Sequence, residues 1–152
     1  MRIAFVRHGE RRKGESDPEL TSFGYRMVEE TSQWLISSGF SPDLALTTST
    51  MRTQQTTQTI LAHFPSTRCE RLQSAPELHQ EWELFTASLG ERSPKPASVL
   101  LVAHHPTMEM LIQCCGPAPA VVTRHQFAVG LILEATSSSG WTISHAWPGR
   151  TS

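Results

Sequence analysis

Ile3-Ala4-Phe5-Val6-Arg7-His8-Gly9 is the stretch on which the fold turns. Its unbroken apolar run reads as a strand buried on both faces, as strands are in a parallel sheet covered by helices. The next three residues then stand where that strand opens into a loop. Arginine offers a planar, permanently charged fork for phosphate oxygens. Histidine is the side chain able to act as a neutral nucleophile near neutral pH. Glycine lets the backbone turn and approach a ligand closely. Together they are the parts needed to grip and attack a phosphoryl group, although so short a motif recurs by chance and needs partners elsewhere.

The rest of the chain alternates between strand and helix signals. Leu20-Thr21-Ser22 opens a helix of about sixteen residues with Phe23, Met27, Trp34 and Leu35 on one face and Gly39 as its stop. Leu44–Thr47 reads as a short buried strand, and a second helix runs from about Met51 to His63, ended by Pro65. Cys69–Leu72 gives a weaker strand signal. The 76–90 stretch predicts a helix with Leu84, Phe85 and Leu89 inward. Val99–Val102 is the second strong buried strand, and a helix follows His104 through Ile112. Phe127–Leu133 and Trp141–Trp147 read as two strands joined by Ser137-Ser138-Ser139-Gly140, a hairpin-like edge. The alternation predicts a three-layer α/β/α sandwich with a mostly parallel sheet and an antiparallel edge near the C-terminus. With 152 residues and no internal repeat or linker, residues 1–152 read as a single domain.

Composition narrows the setting. The formal net charge is −1, without the clustered basic face of a nucleic-acid binder. No stretch reaches the roughly 18 apolar residues of a membrane span. Met1-Arg2 leads directly into a strand, without a signal-peptide pattern. Cys69, Cys114 and Cys115 are odd in number and two are adjacent, which speaks for reduced thiols and a cytoplasmic setting. The expected partners are therefore neither nucleic acid nor membrane.

In an α/β sheet, ligands bind beyond the carboxyl ends of the strands. Arg7 and His8 stand at the first such end. Thr47-Thr48-Ser49-Thr50-Met51-Arg52 follows the second and puts Arg52 in the opening turn of a helix, where free N–H groups and the dipole favour an anion. Ala103-His104-His105-Pro106 follows the fourth. Two arginines and two histidines from three strand ends can converge on one cleft, although they are far apart in sequence.

This set resembles the histidine phosphatase superfamily, the phosphoglycerate-mutase-like proteins. Arg7-His8-Gly9 with Glu10 matches the family's first motif, and Leu20-Thr21 with Gly24 its Leu-Thr-x-x-Gly helix start. Thr48, Arg52, Gln55 and Thr56 match its Ser-x-x-x-Arg-Ala-x-Gln-Thr motif, with Thr48 in place of Ser and Thr53 in place of Ala. Val102-Ala103-His104-His105-Pro106 matches its Val-x-His-x-Pro stretch. The length and Ala75-Pro76-Glu77-Leu78 look most like the small SixA-type phosphohistidine phosphatases. The resemblance implies a phosphoglycerate-mutase-like fold in which His8 is the nucleophile, Arg7 and Arg52 clamp the phosphoryl oxygens, and His104 donates a further hydrogen bond. It implies no cofactor and no metal, because these cationic groups supply the charge that magnesium would otherwise bring.

Many members carry a carboxylate in a Leu-x-Glu context as general acid. Here Leu78-His79-Gln80 puts glutamine at that register, with Glu77, His79 and Glu81 nearby as possible substitutes. An alkoxide leaving group needs a proton in the transition state, whereas a protonated phosphoimidazole departs as neutral imidazole. The missing acid and the short span from Leu72 to Val99 favour a phosphohistidine-bearing protein as substrate. A small phosphorylated substrate, turned over by a broad phosphomonoesterase, is the alternative. A non-catalytic phosphoprotein-binding module is another. A cysteine phosphatase is excluded because the positions six after Cys69, Cys114 and Cys115 are Ala75, Ala120 and Val121. The sequence lacks two His-x-Thr/Ser motifs, and a zinc site at His8, His104 and His105 would compete with the arginines. His105 reads as a helix-start residue, His63, His125 and His145 as surface, and Arg124 with His125 as a possible cleft rim. Arg11, Arg12 and Lys13 read as a solvated loop that could guide an acidic partner.

Overall fold

The computed structural model describes residues 1–73, 77–115, 127–136 and 140–149. Its strands are β1 (Arg2–Arg7), β2 (Leu44–Thr47), β3 (Arg68–Arg71), β4 (Ser98–Ala103), β5 (Gly130–Ala135) and β6 (Trp141–Trp147). Its helices are α1 (Ser22–Ser37), α2 (Met51–Leu61), α3 (Glu81–Gly90) and α4 (His105–Cys115), with a 3₁₀ turn at Leu78–Gln80 before α3. Among the described residues the strands form one sheet in the order β3-β2-β4-β1-β5-β6. The first four are parallel neighbours, and β5 and β6 add the antiparallel edge.

Alternation along the strands divides the core in two. Ile3, Phe5, Leu46, Val99 and Leu101 face α3 and α4, meeting Phe85, Leu89, Met108 and Leu111. Ala4, Val6, Ala45, Leu100 and Val102 face α1 and α2, meeting Met27, Val28, Leu35 and Ile60. Both faces being covered explains the continuous apolar runs in β1 and β4. The sandwich expected from the sequence is the one observed.

Two details depart from the sequence reading. Leu84 is exposed, at 42% of its accessible surface, whereas Phe85 and Leu89 are buried. The helix begins at Glu81, so Glu81, Phe85 and Leu89 stack at four-residue spacing on the inner face, and Leu84 falls outside it. The late strand begins at Gly130, not Phe127, because Ala128 adopts a positive φ of 56°. Its N–H donates to the His8 carbonyl at 3.0 Å. The turn at 127–128 leaves the Phe127 ring beside Arg7 and His8. Residues 116–126 and 137–139, including Arg124, His125 and the serine run of the hairpin, lie outside the described residues.

Close backbone approach fixes the loop after β1. Thr21 caps α1, accepting from the Gly24 N–H at 2.9 Å, and its hydroxyl donates to the Glu10 carboxylate at 2.8 Å. A Cβ on Gly24 would collide with the Glu10 carbonyl, and one on Gly9 would lie 2.8 Å from the Gly24 carbonyl. We expect Gly24→Ala to lose about 2–3 kcal/mol of unfolding free energy in urea titration, because neither backbone can yield. Gly90→Ala, with open space around its Cβ at the end of α3, should gain or lose less than about 1 kcal/mol.

Candidate active site

Parallel pairing brings the predicted residues together. β1 lies beside β4 with Arg7 opposite Ala103, and β2 lies on the other side of β4 with Thr47 opposite Val102. The residues that follow each strand therefore emerge side by side. The His8 N–H donates to the Ala103 carbonyl at 3.2 Å, and the His8 and His104 rings meet edge to face at 5.5 Å between centroids. Both histidines are buried, each with 4% of its surface exposed.

The tautomer of His8 follows from its partner. Nδ1 lies 2.8 Å from the Gly9 carbonyl, which can only accept, so Nδ1 carries the proton and Nε2 the lone pair. Burial lowers the His8 pKa to about 3, more strongly than the Gly9 hydrogen bond raises it. The neighbouring charges of His104, Arg52 and Arg7 lower it further. His8 is thus a neutral imidazole across the physiological range.

The arginines are held with donors to spare. Burial, assisted by the charge of Arg11, lowers the Arg7 pKa to about 10, which still leaves it cationic at neutral pH. Its guanidinium lies 4.4 Å from the centroid of the Phe127 ring. Nε and Nη1 of Arg7 and Nε of Arg52 are buried without a hydrogen-bond partner among the described residues. Burial and then Arg11 also lower the pKa of Arg52, opposed by Asp17 and Glu81. Such orphan donors at a strand end and a helix start are matched to a tetrahedral oxyanion.

Gln55 and Thr56 of the second motif support the first. The Gln55 amide oxygen accepts from the Leu20 N–H at 2.8 Å, and the Thr56 hydroxyl accepts from the Gly9 N–H at 3.0 Å. The two residues that depart from the family motif are partners: the Thr48 hydroxyl donates to that of Thr53 at 2.8 Å. Thr53 in turn donates to the Thr48 carbonyl at 3.1 Å, tying the β2–α2 loop.

Glu81 is the residue whose place the sequence did not reveal. Its carboxylate accepts from His104 Nδ1 at 2.5 Å, from the His104 backbone N–H at 3.1 Å and from the Thr107 hydroxyl at 2.7 Å. It is buried, whereas Glu77 and His79 are exposed. Its four-residue spacing from the inward Phe85 is the sequence signal that could have placed it on the buried face. Asp17 was likewise missed. It accepts from the Met51 N–H at 2.9 Å, at the start of α2. His105 opens α4 and pairs with Glu109 at 3.3 Å, His63 is half-buried against Glu29, and His145 is exposed.

Comparison with known proteins agrees with this geometry. Residues 3–82 match the model of the histidine phosphatase superfamily (branch 1), a span that includes Arg7, His8 and Arg52. The chain belongs to that superfamily. No curated protein matches it in sequence. Among solved structures, a protein histidine phosphatase SixA complexed with tungstate is 21% identical over 96% of each chain, with a TM-score of 0.73. An alpha-ribazole phosphatase from Shigella flexneri is 18% identical over 94% of each chain, with a TM-score of 0.68. A mycobacterial glucosyl-3-phosphoglycerate phosphatase is 16% identical over 94% of this chain and 96% of its own, with a TM-score of 0.64.

The low pKa of His8 has a consequence for stability. In the unfolded chain an ordinary histidine takes up its proton below about pH 6.5, while His8 in the folded protein stays neutral down to about pH 3. Its contribution is therefore present above pH 6.5 and declines as pH falls towards the folded value. Between about pH 6.5 and 5 the loss is about 2 kcal/mol. Urea titrations of the wild type and His8→Gln should differ in pH slope by this amount, and equal slopes would contradict the assignment.

Proposed function

We propose that this member of the histidine phosphatase superfamily removes phosphoryl groups through a phosphohistidine intermediate at His8, with phosphohistidine on a protein as the preferred substrate. The observation that carries the reading is the fixed tautomer of His8 inside a ring of cationic donors. Nε2 attacks phosphorus, a P–N bond forms, and the bond to the substrate's ring nitrogen breaks. A protonated phosphoimidazole departs as neutral imidazole. Water then displaces His8, releasing inorganic phosphate and restoring the neutral ring. Arg7 and Arg52 hold the equatorial oxygens while charge accumulates on them. The SixA relative that binds tungstate, a tetrahedral oxyanion, supports a site of this charge and shape. Three free thiols suit a reducing, cytoplasmic setting.

Glu81 fits a positioning role. A histidine that donates from Nδ1 to a carboxylate can donate from Nε2 to an anion only as imidazolium, and Glu81 is the counter-charge to that form. Three donors already occupy its two oxygens, so it is poorly placed to protonate a leaving group. Gln80 at the register of the usual acid supports the same preference for an imidazole leaving group.

The deciding experiment compares a phosphohistidine-bearing protein with sugar and nucleotide phosphates. We expect kcat/KM to favour phosphohistidine by about a hundredfold or more. Acid-labile phosphate should appear on the wild type and be absent in His8→Ala. Faster turnover of phosphomonoesters would replace this reading with a small-molecule phosphatase, and phosphate binding without turnover would indicate a binding module. Glu81→Gln should slow phosphoryl transfer by about tenfold or more. It should also shift the proton resonance of the His104 Nδ1–H out of the range of a carboxylate-bonded imidazole.

A further inference from the structure

Beside the phosphoryl site lies a second feature that the chemistry at His8 does not use. A cleft of about 480 Å³ is lined by Glu10, Arg11, Arg12, Lys13, Thr21 and Phe127. It adjoins the site at Phe127, whose ring contacts both Arg7, at 4.4 Å, and His8, with centroids 5.7 Å apart. Arg11, Arg12 and Lys13 are exposed and form no ion pair with a described residue. The one carboxylate among the described lining residues, Glu10, accepts from the Thr21 hydroxyl at 2.8 Å.

The basic run lies in an exposed loop, as the sequence reading has it, and that loop has an ordered backbone support. Arg11 pairs with Leu20 in an antiparallel bridge, and the Arg12 N–H donates to the Glu19 carbonyl at 2.8 Å. Gly14, with a φ of 83°, lies in the turn between the two sides. The charge also reaches the site, since Arg11 acts on both Arg7 and Arg52. Three exposed cations lining one cleft beside the candidate phosphoryl site favour a negatively charged chain over a neutral one.

We propose that this cleft docks an acidic segment of the phosphorylated partner protein, with Arg11, Arg12 and Lys13 holding carboxylates that flank the phosphorylated side chain. The proposal rests on the phosphoryl-transfer reading of His8 and adds to it the class of partner. It assigns specificity to a surface formed by the chain's own first loop. The cleft's volume of about 480 Å³ is more than the second anionic group of a small phosphorylated molecule needs.

The test is a fluorescence-anisotropy titration of the full chain with two unphosphorylated peptides of equal length, one rich in glutamate and one in glutamine. The glutamate peptide should bind about tenfold more tightly at about 50 mM salt, and most of that preference should vanish at about 300 mM. Arg12→Gln combined with Lys13→Gln should bring the two affinities close to equality, with the thermal unfolding profile retained. Equal binding of both peptides by the wild type would overturn the proposal, as would a preference that survives the double substitution. Citrate displacing the peptide at equal concentration would overturn the assignment to a protein segment. Phosphoramidate labelling of wild-type His8 is read separately. Failure there removes the phosphatase reading and leaves the peptide result to stand or fall by itself.

Discussion

The parallel pairing of β1 with β4 is the constraint on which the rest of this structure depends. It sets Arg7 opposite Ala103, and so puts His8 and His104 in edge contact. It also fixes which apolar residues face each helical layer, because successive side chains of a strand point to opposite faces. A slip of one residue would turn Phe5 and Val6 to the wrong layers and separate the two histidines. The core and the site therefore share one register. The packing of the β1 and β4 side chains between the helical layers therefore also holds the histidines in register.

That geometry is electrostatically unfavourable in isolation. Two guanidiniums lie close to two imidazoles, and donors of both arginines are buried without partners among the described residues. An unsatisfied buried donor costs about 1–3 kcal/mol. The surrounding loops offset this cost with hydrogen bonds away from the reacting atoms: Thr56 on Gly9, Gln55 on Leu20, Thr21 on Gly24 and Asp17 on Met51. The site is thus pre-organised for an anion. An oxyanion at this site would find its donors already oriented, and its charge would offset the repulsion among the buried cationic groups.

The layer architecture was legible because β1 and β4 are apolar without interruption, α1 carries a cap, and the helices between the two strands carry apolar faces. The four candidate residues were legible because each follows a strand or opens a helix, and strand ends in such sheets converge. Glu81 was not legible as the partner of His104. Its contact spans 23 residues between an α3 start and a β4 end, and no local spacing encodes that meeting. Phe127 was misplaced in a strand because an alanine at positive φ leaves no mark in the sequence. Leu84 was misplaced because the helix phase depends on where the first turn closes, and the 3₁₀ turn at Leu78–Gln80 moved that point.

The placement of carboxylates bears on which leaving group the proposed cycle can release. A general acid must reach the departing atom and hold a proton to give. Glu81 has both oxygens turned to His104 and Thr107, while Glu77 and His79 are exposed. Gln80 has no acidic proton to give. In the proposed cycle Glu81 would therefore orient His104 on the phosphoryl oxygens without assisting departure. A site arranged in this way suits the proposed transfer from a donor whose leaving group is already stable as a neutral molecule. Imidazole meets that condition and an alkoxide does not, and the hydrogen bonds of this one glutamate are therefore what supports the proposal of a nitrogen-bound phosphoryl group.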